Sequence, residues 1–419
     1  MKKLTVLLFT VILALTAVLS GCTEGESVTK TRTQSEKYAA RALEMFETAY
    51  RDFYSEEGDF VHVHFPYTDE SDKIAGDWHV VALLQAGLQL RKHYPDNSFL
   101  IRATENLYGS MDYFVQARAD EYLVYGVERG MFPGTAPIRT AFDDNIHIAR
   151  VYMEGYQITG DQTYLDKAKE LIKFVLEMAW HTQINSSTGQ EIGGLGWGEG
   201  NVIDALFTCT NAPGAVMCAE MYNLTKDQYY LDWAIKIYDW TVEYLRFNNG
   251  VYTDGRSCMM IDDGTYVITD IAGTAHTYNS GFPISGGAEL YQITGDEKYL
   301  QDARFTAAAA FDEFADGSYL EGLYQYPQKY YEAGNWFHQM LLEGYLALDR
   351  VAGDEDSRRY VESFQTAIDY AYDNYYRDGY LPTNYVTGWI PDSFEDERMA
   401  VLSVAANIVI YAKLAEYVA

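Results

Sequence analysis

Two kinds of amphipathic pattern alternate along this chain. In residues 162–181, Leu165, Ala168, Leu171, Ile172, Val175, Met178 and Ala179 recur at helical spacing, with lysines and glutamates opposite. That pattern predicts a helix buried along one side. Residues 77–93 (DWHVVALLQAGLQLRKH) and 143–158 are apolar nearly all round, which predicts helices buried on most sides. Read this way, the chain holds twelve helices, at 34–55, 77–93, 97–118, 143–158, 162–181, 210–223, 227–246, 279–292, 296–315, 335–351, 355–376 and 396–417.

The helices come in a repeat. The stretches YQITGDQTYLDKAKELIKF (156–174), YNLTKDQYYLDWAIKIYDW (222–240) and YQITGDEKYLQDARFTAAA (291–309) align by eye, with weaker copies at 93–107 and 350–364. Each takes one helix through a tight corner into the next. Asp96, Asp161, Asp227, Asp296 and Asp354 stand at the corners, about 65 residues apart, where a carboxylate caps free helix N–H groups. A period this regular means stacked helical hairpins. Alternating inner and outer helices in six hairpins make an all-α (α/α)6 barrel, built from local contacts with no need of long-range strand pairing. The long connections (56–76, 119–142, 182–209, 247–278, 316–334 and 377–395) all precede inner helices. They form one rim, and loops gathered on one face usually carry function. The inner-helix starts form its floor.

The first 33 residues stand apart from this fold. Lys2 and Lys3 precede the apolar run Leu4–Leu19, and Leu19-Ser20-Gly21-Cys22 resembles a bacterial lipobox. Residues 1–21 read as a lipoprotein signal peptide, with Cys22 as the lipidated residue and 22–33 as a flexible polar tether. The barrel then occupies 34–419. This places the protein on a bacterial membrane, on the periplasmic or cell-surface side, with the lipid as its only membrane contact. Cys209, Cys218 and Cys258 remain, an odd set without metal-ligand spacing. Free thiols and one disulfide are both open.

Charge narrows the partners. The chain carries 61 acidic and 31 basic residues, a formal charge of -30. That argues against nucleic acid, whose binding rewards phosphate neutralisation, and it repels anionic polysaccharides. A neutral polysaccharide fits, and the 37 tyrosines and 7 tryptophans offer flat faces for sugar rings as well as core packing.

On the predicted floor, successive helix starts supply Asp77 and Trp78, then Asp143, Asp144 and Asn145, then Asn211 behind the loop GGLGWGEGN (193–201) with Trp197, then Tyr278 and Asn279, then Trp336, and finally Trp389. A single aspartate at a helix start is ordinarily a cap. Two adjacent ones add repulsion that capping does not need. Neighbouring residues there diverge by roughly 100°, with Cβ atoms on the order of 5.5 Å apart. That reach suits the closely spaced carboxyl pair of a retaining glycosidase. One carboxylate can face helix N–H groups and stay ionised while the other is desolvated and keeps its proton. A rival pair, Asp262-Asp263, precedes a glycine and reads as a turn.

The chain resembles glycoside hydrolase family 76, the α-1,6-mannanases, over about residues 75–419. The resemblance rests on Phe142-Asp143-Asp144-Asn145, the GG…W loop at 193–197, the Asn211 helix, the ITGD corners, GVYTDG (250–255) and Thr277-Tyr278-Asn279-Ser280-Gly281. It implies an (α/α)6 barrel, endo cleavage of α-1,6-mannan with retention by double displacement, and no metal or other cofactor. By position, Asp143 is then the nucleophile and Asp144 the general acid/base. Asn145, Ile146, His147 and Ile148 stand where the family usually has aromatic residues, and GGLGW replaces a frequent pair of tryptophans. These departures bear on which sugar is gripped. Another α-glycan hydrolase, a mannan transglycosylase and a non-catalytic glycan-binding lipoprotein are the alternatives. A monomer is expected.

Overall fold

The computed structural model describes residues 32–68, 74–181, 183–184, 191–199, 205–260, 266–272, 275–315, 334–381 and 398–419. The lipobox with Cys22, Asp262-Asp263 and Trp389 lie outside the described residues. Twelve helices occur within them: α1 (Gln34–Phe53), α2 (Asp77–His93), α3 (Ser98–Met111), α4 (Phe142–Thr159), α5 (Gln162–Ala179), α6 (Thr208–Thr225), α7 (Gln228–Leu245), α8 (Thr277–Thr294), α9 (Glu297–Phe314), α10 (Asn335–Ala352), α11 (Glu355–Tyr375) and α12 (Val401–Tyr417).

The corners form as their residues dictate. Gly160, Gly295 and Gly353 end inner helices with φ of 72°, 71° and 59°, a left-handed turn that suits glycine, and Lys226 adopts it in the fourth copy. Asp161, Asp227 and Asp296 then accept the N–H two residues on, and Asp354 forms a capping box with Ser357. The first corner differs from expectation. Asn97, not Asp96, caps α3, accepting the N–H groups of Phe99 and Leu100.

Even-numbered helices form a closed inner ring, each touching the next and α12 touching α2. Odd-numbered helices pack outside, α3 on α2, α5 on α4, α7 on α6, α9 on α8 and α11 on α10. The sixth hairpin joins the two ends of the fold, because α1 packs on α12. Ser35 Oγ donates to the Ala415 carbonyl at 2.7 Å, so α1 begins at the mouth where inner helices end. The architecture is the all-α (α/α)6 barrel. On α5 the buried stripe is Leu165, Ala168, Leu171, Ile172, Phe174, Val175, Leu176 and Ala179, while Met178 faces outward. The stripe is rotated from the expected one, because Phe174 packs against Phe142 at the start of α4.

Two elements depart from the sequence reading. The helix expected over 97–118 stops at Met111, and one 3₁₀ turn brings in buried Phe114 before Val115 and Gln116 extend to pair with Tyr125 and Thr135. Strands also pair at long range. β1 (Ala205–Phe207), β2 (Gly255–Met260) and β3 (Tyr266–Ala272) form an antiparallel sheet in which Phe207 pairs with Gly255. It binds the loop before α6 to the loop before α8.

Inside the ring the barrel axis is charged rather than oily. Arg150 of α4 binds Glu220 of α6 through two bonds of 2.8 and 2.9 Å and also holds Glu343 of α10. Lys413 of α12 lies 3.6 Å from Glu343. Four inner helices are thus tied across the axis by compensated charges.

Candidate active site

Three carboxylates meet at the mouth where inner helices begin. Asp77 is the first residue of α2, and Asp143 and Asp144 are the second and third of α4. None is an N-cap; Gly76 and Ala141 hold those positions without side-chain caps. Asp77 is fully buried, and its Oδ1 accepts the Trp78 N–H at 2.7 Å while Oδ2 has no partner. Main-chain bonds hold α2 and α4 in this alignment: Asp77 N–H donates to the Val127 carbonyl, and Val127 N–H to that of Arg139.

The loop carrying Trp197 is pinned at both ends. Its N–H and carbonyl at Leu195 pair with the Asn211 amide at 2.7 and 2.9 Å, and the same amide reaches the Phe207 carbonyl at 2.8 Å. Glu199 is held by Arg118 at 2.5 and 2.7 Å. Between these anchors the Trp197 carbonyl accepts the Phe142 N–H at 2.8 Å. Its indole Nε1–H donates to Asp143 Oδ2 at 3.1 Å.

The two adjacent aspartates have different surroundings. Asp143 also accepts the Asp144 N–H at 3.1 Å, and the nearby Cys209 thiol favours its ionised form. Burial pushes its carboxyl up, and these donors pull it back, leaving it at about 6. Asp144 has no hydrogen-bonding side chain among the described residues. Burial, then the charges of Asp77 and Asp143, push it well above the usual carboxylate range, with Arg139 opposing only in part. Asp77 is pushed up to about 7 by burial, against its bond from Trp78 and with help from Asp143. The site therefore favours an ionised Asp143 beside a protonated Asp144.

Next to Asp143 stand Cys209 of α6 and Tyr278 of α8. Burial, and then the neighbouring Cys209, Asp254 and Asp143, push the Tyr278 phenol up. Tyr278 donates to Asp254 at 2.7 Å, and Asn279 Nδ2 reaches the same oxygen at 3.3 Å. Asp254 and Cys209 were missed as site residues by the sequence reading. GVYTDG marked the first as a motif only; a cysteine without spacing partners marked nothing. Cys209 and Cys218 are free thiols.

Other candidates lie elsewhere. Asn145 and Asn211 are fully buried beneath the floor. Asn145 mirrors Asn211, bonding Tyr125 N–H and carbonyl at 3.0 Å and the Ala141 carbonyl at 2.8 Å. Both are clamps on rim loops and not part of the open surface. Trp336 is 6% exposed and packs edge-on against half-buried Trp78, their centroids 6.5 Å apart. Trp197, at 39%, is the most open of these rings. Among the described residues no group of His, Cys, Asp and Glu is arranged to hold a metal ion.

A family model described as Glycosyl hydrolase family 76 matches residues 67–418. The chain is 31% identical over 120 residues to the mannan endo-1,6-alpha-mannosidase DCW1 of Saccharomyces cerevisiae, a match covering 29% of this chain and 26% of the yeast protein's length. Its fold resembles that of the family 76 mannosidase Bt3792 of Bacteroides thetaiotaomicron, with a TM-score of 0.78 at 22% identity over 90% of this chain and 98% of that one. It also resembles an inactive variant of the α-1,6-mannanase GH76A of Salegentibacter sp. HEL1_6 in complex with α-1,6-mannotriose. There the TM-score is 0.68 at 19% identity, over 90% and 99% of the two chains.

Proposed function

The chain belongs to glycosyl hydrolase family 76, and from that membership and the floor's geometry we propose that it is a retaining endo-α-1,6-mannanase. One observation carries the reading: adjacent aspartates at the floor, of which Asp143 accepts from Trp197 and from the Asp144 N–H while Asp144 accepts from no side chain among the described residues. Asp143, held by Trp197, attacks the anomeric carbon. Asp144 gives its proton to the departing glycosidic oxygen. A glycosyl–Asp143 ester forms; Asp144, now ionised, takes a proton from water as that water releases the sugar with net retention. Burial, with the nearby charges of Asp77 and Asp143, keeps Asp144 protonated between turnovers. The Salegentibacter protein supports this assignment, since its inactive form carries asparagine at two consecutive aspartates.

The test is digestion of unbranched α-1,6-mannan beside branched yeast mannan, with products sized. Mid-chain cleavage of the unbranched polymer is expected. Asp143→Asn and Asp144→Asn should each remove nearly all of it, with general acid/base loss alone worth roughly 10²–10⁴ in rate, while circular dichroism shows the fold kept. Undiminished turnover by either variant sinks the assignment.

We also propose that the protein is tethered through Cys22, on the strength of its lipobox sequence. Cys22→Ser should move the protein from the membrane to the soluble fraction; unchanged membrane association argues against the anchor.

A further inference from the structure

The barrel wall carries a second feature suited to sugar. A groove of about 300 Å³ is lined by Trp180, Trp240 and Tyr244 with Lys236, Asp239 and Glu243. Its size is at the low end of small-molecule sites, about 300–1,000 Å³. Tyr244 is half-buried and stacks on Trp240 at 5.3 Å and 27°, and Arg256 Nε anchors its carbonyl at 2.8 Å. Trp240 is 6% exposed, and its indole N–H has no acceptor among the described residues. Glu243 and Asp239 are exposed carboxylates at the edge, able to accept from hydroxyls.

The chain links the groove to the catalytic rim. Gly193, part of its lining, lies against the Trp180 ring so closely that an added Cβ would sit 2.1 Å from it. Gly194, at φ +120°, lies likewise against Trp240. Main-chain bonds join this strand to the end of α5, His181 N–H to the Gly194 carbonyl and Gly196 N–H to that of Ala179. The next residue is Trp197, bonded to Asp143. Trp197 lies four positions beyond Gly193, at most about 14 Å of extended chain.

We propose that this groove is a second glycan-binding site, distinct from the aspartate floor, which holds a neutral pyranose segment of the polymer outside the cleft. The half-buried Tyr244 ring takes the apolar side of the sugar, and the exposed carboxylates Asp239 and Glu243 take its hydroxyls. The chain's strong negative charge excludes anionic glycans, which sets the ligand class. The inference does not depend on the linkage cleaved at the floor.

Tyr244→Ala and Glu243→Gln test it, since neither touches the aspartates. Native gels cast with soluble neutral polysaccharides (α-1,6-mannan, a β-1,3-glucan, a β-1,4-glucan) report binding whether or not the glycan is cleaved. Wild type should be retarded by at least one, and Tyr244→Ala should weaken that affinity 5-fold or more. If mannan is the substrate, kcat/KM on a mannotetraose should stay within 2-fold in both variants while KM on long mannan rises. No retardation of wild type on any glycan, or equal retardation of wild type and Tyr244→Ala, overturns the site. Parallel losses on tetraose and polymer also overturn it, assigning Tyr244 to support of the Trp197 loop instead.

Discussion

The indole Nε1 of Trp197 lies 3.1 Å from Asp143 Oδ2, joining a loop residue to a helix-borne carboxylate. Hydrogen bonds to a charged group are worth about 1.5–3 kcal/mol. This one favours the ionised carboxyl, in opposition to burial.

Replacing that donor therefore raises the Asp143 pKa further. In Trp197→Phe the acidic limb of the kcat/KM profile should move up by about one pH unit, at 1.36 kcal/mol per unit, and kcat should fall roughly 10-fold. The pH–rate profile measures both. A lower rate with an unmoved acidic limb would assign Trp197 to sugar contact alone.

Asn145 and Asn211 should matter to stability before they matter to substrate. Each Asn→Ala change strands three buried main-chain bonds, and an unsatisfied buried group costs about 1–3 kcal/mol. A loss of about 3 kcal/mol in urea unfolding is expected for Asn145→Ala, with KM of the still-folded enzyme changed less than 3-fold. A stable variant with a much higher KM would return Asn145 to the binding surface.

Stability should peak at mildly acidic pH. Asp77 is raised in the folded state from 3.8 to about 7, so its contribution is complete below about 4 and is lost as pH climbs through neutrality. Glu343 is depressed by Arg150 and Lys413 against its burial. Its contribution is present above the ordinary glutamate range and is lost as pH falls. Asp77→Asn keeps an acceptor for the Trp78 N–H and should flatten the fall in Tm between pH 5 and 8. Parallel Tm curves for variant and wild type would show that Asp77 ionisation is not responsible. Arg150→Met, which strips Glu220 of its cation and leaves Glu343 with Lys413 alone, should destabilise by about 3–5 kcal/mol.

Much of this was legible because it repeats. The hairpin period exposed the alternation of inner and outer helices, and four of five corner aspartates cap as expected. At the first corner, Asp96 and Asn97 are adjacent and both able to cap; only geometry chose between them. The floor positions of Asp143 and Trp197 followed from helix starts and loop placement. The roles of Asn145 and Asn211 did not, because an amide that copies a peptide unit looks the same in sequence as one aimed at a sugar. Asp254 and Cys209 were hidden for another reason. Their partners, Tyr278 and Asp143, come from other hairpins, and the strand pairing that sets the loop of Asp254 is non-local.

The pairing of α1 with α12 bears on how the ring is made. Five hairpins can form from neighbouring sequence. The sixth spans 380 residues between Ser35 and Ala415. Until α12 exists, α1 has only part of its cover for Tyr38, Ala42, Met45, Phe46 and Phe53, and α10 lacks Asn407, the bonding partner of Asn335. Loop-closure entropy grows slowly with length, so the final union is affordable in equilibrium. Without the contact between α1 and α12 the hairpins would make an open helical spiral, and that contact is the clasp that turns it into a ring with a cleft.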